Sequence, residues 1–280
     1  MNTTYKICEL CAAFGVNRSS YYAHIQSRTN PGPRARADEQ LKTQIADAFH
    51  RSGQTYGAPR LQAELRTTNK PTPSRKRIAR LMHEQNLNAR PRRRYRMKTT
   101  DSNHSGPIAP NLLHDRPKPE RPNQIWRSDI TYIATDEGWL YLCSFKDAYS
   151  RRQIGWAMSD KIDTALVLNA LKMAIDQRRP APGLIIHTDR GSQYASEAYQ
   201  IAIAKIGAIP SMSRRANCYD NAAMESAWST LKIERVYREK YATRDQARTS
   251  IHDYLCFYNQ TRRHSALGYH SPVDFEKLSN

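Results

Sequence analysis

Three acidic side chains in the second half of this 280-residue chain stand where they could do chemistry: Asp129, Asp189 and Glu225. Asp129 lies inside IWRSDITYI, a run of apolar and β-branched residues that reads as a strand. Strand alternation points it away from Trp126, Ile130 and Tyr132. An acid in such a run is expensive unless it is paired or ligated. Asp189 follows directly on the apolar run LIIH, and ligands of open α/β sheets gather just past such strand ends. Gly191, two residues on, allows close backbone approach there. Glu225 opens a long helical pattern, with 35 residues between it and Asp189 and with Lys232 seven positions further on. The spacing from Asn221 through Glu225 to Lys232 keeps all three on one helix face. Carboxylates brought to one point repel one another unless a cation joins them. Oxygen-only ligand sets suit Mg²⁺ or Mn²⁺. Glu225 can then reach the metal while Lys232 meets a neighbouring phosphate.

The charge balance says what such a metal would act on. The chain carries 44 Lys and Arg against 26 Asp and Glu, a formal net charge of +18. Residues 1–121 hold 23 of the bases and 9 of the acids, so most of the excess lies in the first half. A basic half suits a polyphosphate partner, because releasing condensed counterions drives binding. The expected partner is therefore a nucleic acid of some kind and the expected substrate a phosphodiester, with a soluble basic surface or a ribosome-associated protein as the plainer alternative. No apolar run approaches the roughly 18 residues of a membrane span. The start, MNTTYKICEL, lacks the basic-then-apolar pattern of a signal peptide. Five scattered cysteines read as reduced thiols in a cytoplasmic protein rather than a disulfide frame. Cys8 and Cys11, with His24 nearby, lack the fourth ligand of a tetrahedral zinc site.

Residues 1–36 read as a small helical unit with the outline of a helix-turn-helix. It has a helix over 8–13, a turn at Gly15, a second helix over 17–25 capped by Asn17, and Phe14 and Val16 to close it. Arg28 to Arg36, with Pro31 and Pro33, reads as a connection. Residues 37–98 form a second helical, DNA-binding module. Leu41, Ile45, Ala48 and Phe49 recur at helical spacing, Pro59 opens a helix with Leu61 and Leu65 inward, and Ser74 caps a third with Ile78, Leu81 and Met82 on its apolar stripe. That third helix carries Arg75, Lys76, Arg77 and Arg80 near its start, where a recognition helix meets the major groove. A solvated basic face is the plainer alternative. DNA contact is favoured because a basic arm follows directly, including Arg92, Arg93, Arg94, Arg96 and Lys98. Residues 99–121, rich in proline, read as a linker.

From residue 122 the pattern is α/β. Strands are expected over 125–133, 139–145, 153–158, 184–187 and 209–212. Helices are expected from Thr164, as its cap, through Gln177, over 196–206, from Asn221 to about Glu239, and over 244–258. The sum is a mixed five-stranded sheet flanked by helices over 122–240, with a helical extension over 241–280. Asp147 competes with the three acids because it too follows a strand; Asp220 has an ordinary task as a helix cap. His187 reads as a packing or supporting group, and Ser192 and Ser226 lack a paired base. Trp126, Trp139 and Trp156 read as core aromatics. Arg262, Arg263 and His264 could touch DNA or simply form a surface loop.

At these residues the chain resembles the OrfB-type transposases of the IS-three insertion-sequence family, and through them the retroviral integrase superfamily with its two aspartates and one glutamate. The similar stretches are QIWRSDITYI (124–133), HTDRGSQYAS (187–196), SMSRRANCYDNAAMESAWSTLKIE (211–234) and YNQTRRHSALGYHSPVDF (258–275). In the helical half they are YGAPRLQAELR (56–66) and SRKRIARLMHEQNL (74–87). The resemblance covers roughly residues 50–275. It implies a ribonuclease-H-like catalytic core preceded by all-α helix-turn-helix-like modules, Asp129, Asp189 and Glu225 as catalytic metal ligands, and Lys232 beside the donor DNA end. The expected activity is two-metal phosphoryl transfer, with two Mg²⁺ (or Mn²⁺) ions per site, that cleaves the element's ends and joins each 3′-OH to double-stranded target DNA. At least a homodimer is expected, together with an upstream OrfA-type partner or fusion and a bacterial, nucleoid-associated location. Ala216 departs from the glycine usual in the family. A ribonuclease-H-like nuclease without joining and a non-catalytic DNA-binding regulator are the rival readings.

Overall fold

The computed structural model describes residues 5–69, 71–89, 107–113, 117–214 and 221–278. It divides into two compact units, Met1–Arg90 and Pro91–Asn280.

The first unit is helical. α1 (Ile7–Ala13) and α2 (Arg18–Thr29) are joined through Gly15, whose φ of +63° supplies the left-handed turn. Asn17 caps α2, accepting from the Ser19 amide at 2.9 Å. α3 (Pro33–Arg51), α4 (Ala58–Leu65) and α5 (Arg75–Glu84) follow. They enclose one core of Leu41, Ile45, Phe49, Leu61, Ile78 and Leu81. Ser74 caps α5 by accepting from the Arg77 amide. Two expectations need correction here. The connection from Arg28 to Arg36 is far shorter than expected, because α2 runs to Thr29 and Pro33 begins α3; proline tolerates the first turn of a helix. Phe14 and Val16 do not close the first pair: they are 78% and 45% exposed, and Cys11 is the one residue of α1 that is buried.

The second unit is built on a five-stranded sheet in the order β3-β2-β1-β4-β5. β1 (Ile125–Thr135), β2 (Gly138–Asp147) and β3 (Gln153–Ser159) form an antiparallel meander. β4 (Ile185–Thr188) joins β1 in parallel, and β5 (Ile209–Met212) joins β4 in parallel. Alternate residues of the strands feed two cores. Trp126, Cys143, Phe145 and Ile154 meet α6 (Thr164–Arg178) and α7 (Glu197–Lys205) on one face. Ile133, Leu140 and Leu142 meet α8 (Ala222–Glu234) and α9 (Arg244–Gln260) on the other. A Cβ at Gly155 of β3 would collide with the backbone of α6 at Ala170 and Ala174, so glycine is what lets that helix press on the sheet.

Three boundary details differ from the sequence reading. Asp163, not Thr164, caps α6, accepting from the Leu166 amide at 2.9 Å. α8 stops at Glu234 rather than near Glu239, because Val236 and Tyr241 turn into the second core. Arg262 and His264 are buried, not a surface loop. Arg262 forms a two-pronged pair with Glu234 at the end of α8 (2.7 Å each), and Tyr254 donates to the same carboxylate at 2.9 Å. A second buried network ties α10 (Pro272–Lys277) to the sheet, with Glu276 accepting from Arg152 and Arg178. The stretch 241–278 is thereby locked onto the sheet. Among the described residues no helix is long and apolar enough to cross a membrane.

Candidate active site

β1 and β4 pair in parallel only as far as Arg127 opposite His187. Asp129 and Asp189 each lie two residues beyond that last rung. Neighbouring strands run about 4.8 Å apart, so the register brings two carboxylates side by side where β4 ends. Each is held by the local backbone. The Ile130 amide donates to Asp129 Oδ1 at 2.9 Å, and the Gly191 amide to Asp189 Oδ1 at 3.0 Å. A side chain at Gly191 would crowd that same oxygen, with its Cβ 3.1 Å away.

Glu225 arrives on α8, where it is exposed on the first turn. Three bonds hold this helix over β1 and β2. Lys146, buried on β2, donates to the Ala223 carbonyl at 2.9 Å. The Asn221 amide nitrogen reaches the Ser128 carbonyl at 3.4 Å. Trp228 donates its indole N–H to Asp129 Oδ2 at 3.0 Å. Asn221 Oδ1 is buried beside this corner and has no hydrogen-bond partner among the described residues. Lys232, two helical turns after Glu225, lies 4.3 Å from the Tyr132 ring centroid, a cation–π distance.

The electrostatics follow from this geometry. Burial, then the neighbouring charge of Asp189, and last that of Glu225 push Asp129 up to about 8; the Ile130 and Trp228 donors pull the other way. The order of the two acids matches the placement: Asp189 is the near neighbour and Glu225 the weaker influence. Burial lowers the Lys232 ammonium, opposed by Asp129. It also takes Lys146 down to about 7, aided by Arg151, Arg127 and Arg262. Among the described residues no three His, Cys, Asp or Glu side chains stand arranged to hold a metal ion as they are.

Other candidates sort by their partners. Asp147 accepts from the amides of Asn123, Tyr149 and Ser150 and is a turn cap. His187 has both ring nitrogens engaged, Nδ1 with Ser211 Oγ at 2.9 Å and Nε2 with Ser213 Oγ at 3.1 Å. In the helical unit, Arg77 and Arg80 converge on Asp38 at 2.7 and 2.6 Å, Arg80 also pairs with Glu84, and Arg75 bonds Gln62 at 3.1 Å. Lys76 is exposed. Arg92, Arg93, Arg94, Ala216 and Asp220 lie outside the described residues. The sequence pattern puts Asn221 on the face of Glu225 but gives no role to Trp228 or Lys146. Trp228 had a signal: it stands one helical turn after Glu225, on the same face.

Models of known families match along most of the chain. Residues 119–218 and 207–272 match integrase core domains, and residues 36–95 match an HTH-like domain. The chain is 39% identical to transposase InsF for insertion sequence IS3A of Escherichia coli strain K12, covering 97% of this chain and 94% of that one. The chain belongs to the IS3 family of insertion-sequence transposases. It is 45% identical to an insertion element IS600 protein of 31 kDa from Shigella sonnei, over 96% of this chain and 97% of that one. This transposase is thus an enzyme, a polynucleotidyl transferase acting on DNA. Its fold is that of integrases: a simian T-cell lymphotropic virus intasome, solved with a PP2A regulatory subunit, superimposes with a TM-score of 0.50 at 17% identity, covering 77% of this chain and 70% of that one.

Proposed function

We propose that this transposase cleaves the ends of an insertion sequence and joins each 3′-OH to target DNA, with Asp129, Asp189 and Glu225 as catalytic groups that hold Mg²⁺ or Mn²⁺, two ions per site. One observation carries the reading: in a chain of formal charge +18, Asp129 and Asp189 stand two residues past the last rung of a parallel strand pair, and the helix that bears Glu225 is bonded to Asp129 through Trp228. Such a corner gathers like charges, and its donors are hard oxygens. The imidazole nearest in sequence is already engaged with two serines. Asn221 Oδ1 adds an unspent oxygen. When bound, divalent ions would activate the attacking water or hydroxyl and stabilise the leaving oxygen. The chain's own groups orient Asp129 and Asp189 through the backbone, carry Glu225 in on α8, and set Lys232 towards the adjoining phosphate.

The remaining parts have proposed tasks as well. The unit 1–36 and the module 37–98 bind element ends, through Arg75, Lys76, Arg77 and Arg80 of α5 and the arm Arg92, Arg93 and Arg94, with 99–121 as linker, 122–240 as catalytic core and 241–280 as its extension. Two ends must be joined, so the working form is at least a dimer, with or without an upstream OrfA-type partner, in the bacterial cytoplasm at the nucleoid. Asp129→Asn, Asp189→Asn and Glu225→Gln are expected to cut end cleavage and joining by about 10²–10³-fold or more, with binding of end DNA retained. A labelled-end strand-transfer assay reads this directly, and near-parent joining by any of the three would remove that residue from the site.

A further inference from the structure

The second core holds two aromatics whose polar edges are spent on carboxylates, Tyr254 on Glu234 and Trp228 on Asp129. Trp228 packs with Met224, Leu231 and Ile251, yet its indole N–H leaves that apolar setting to meet Asp129 Oδ2 at 3.0 Å. An indole nitrogen can only donate. The other Asp129 oxygen is taken by the Ile130 amide, so both carboxylate oxygens are fixed while each keeps lone-pair capacity for a further ligand. The bond also crosses between elements. It joins β1 to α8 three residues beyond Glu225, so the same contact acts on the rotamer of Asp129 and on the seating of the glutamate's helix. Lys146 and Asn221 anchor the head of α8 to its own backbone and to the Ser128 carbonyl. Trp228 alone among these anchors touches an acid of the triad.

Resting on the function proposed above, we propose that Trp228 is a positioning residue of the metal centre, its indole N–H holding Asp129 and registering Glu225 for joint ligation. It touches neither DNA nor the reacting atoms in this role. Groups that orient a metal's ligands are typically worth about 10–100-fold in metal affinity. Trp228→Phe keeps the ring in the core and deletes the donor.

The test is Mn²⁺ binding to the full chain, freed of divalent ions and followed by the electron paramagnetic signal of unbound Mn²⁺. Trp228→Phe is expected to bind Mn²⁺ about 10–100-fold more weakly. The half-saturating Mn²⁺ for end joining should rise by the same factor, and the rate should recover to within a few-fold at saturation. A residue that only packs would lower the melting temperature and leave Mn²⁺ affinity at the parent value; that result overturns the inference. Circular dichroism and end-DNA binding without divalent ions check that the variant folds. Should it not fold, the parent itself answers: of the indole N–H resonances of its four tryptophans, one must shift on Mg²⁺ titration, and none shifting overturns the inference. Asp129→Asn separates the two levels. If that variant keeps parent Mn²⁺ affinity, the site assignment fails. If it loses affinity while Trp228→Phe keeps it, only the role of Trp228 fails.

Discussion

The helical unit and the sheet unit handle charge in opposite ways. Around α5 every described acid near the arginines is matched: Asp38 receives Arg77 and Arg80, and Glu84 receives Arg80 and Lys42. Asp38 is held below the usual carboxylate range, first by its Arg80 bond. Beside β1 the arrangement is reversed. Among the charges acting on Asp129 the largest is that of another acid, Asp189, while burial lowers Lys232 and Asp129 opposes that shift. Pairs at a surface contribute little, roughly 0–1 kcal/mol each; like charges in a part-buried corner raise each other's pKa and cost stability. The first is a balanced surface; the second is an unbalanced corner, which suits the cation site proposed above.

Breaking the buried side of this contrast is expected to give the largest effect. Arg262→Met would strand the Glu234 carboxylate at the end of α8, a loss of about 3–5 kcal/mol. Urea denaturation measures it, and a change below 1 kcal/mol would show that the clamp does not hold the helix that carries Glu225. Next comes the pH response of the ion-free chain. A carboxyl whose folded pKa is about 8, against about 3.9 unfolded, keeps its proton longer in the folded state. Its contribution to stability therefore falls as pH rises from about 4 to about 8. Asp129→Asn should remove that fall, and at neutral pH without divalent ions the variant should melt above the parent. Lys146, lowered to about 7, acts above that pH and in the opposite sense, so the two chains are compared by difference. Added Mg²⁺ should raise the melting point of the parent and leave Asp129→Asn unmoved.

The steric side comes third. Gly155→Ala would force β3 away from α6 and is expected to cost about 1–3 kcal/mol, read by the same denaturation. The smallest effect is expected at the surface. Asp38→Asn releases Arg77 and Arg80 from their carboxylate and should strengthen binding to end DNA a few-fold, with a steeper salt dependence. A weaker complex would mean instead that Asp38 orients the two arginines for their contacts.

The amino-acid sequence by itself determined the local elements and the list of chemical actors. Period-two runs placed β1 to β5 to within about two residues. Ser74 and Asn17 declared their helices as caps, and the apolar stripe of α5 told its buried side from its basic side. It also placed acids on a strand, past a strand and on a helix start. Where tertiary packing outweighed local preference, the reading slipped. Phe14 and Val16 were assigned to a closing contact that the fold does not make, α8 ended early as Val236 and Tyr241 turned inward, and Arg262 was drawn into a buried pair with an acid 28 residues before it.

What only the tertiary structure decided is which of those actors meet. Asp129 and Asp189 become neighbours through the parallel register of β1 with β4, which stops at Arg127 and His187. Trp228 reaches an acid 99 positions away because α8 lies across that same strand. Periodicity reports which side of an element is apolar. It does not say against which other element that side will close, because that depends on burial summed over the whole chain.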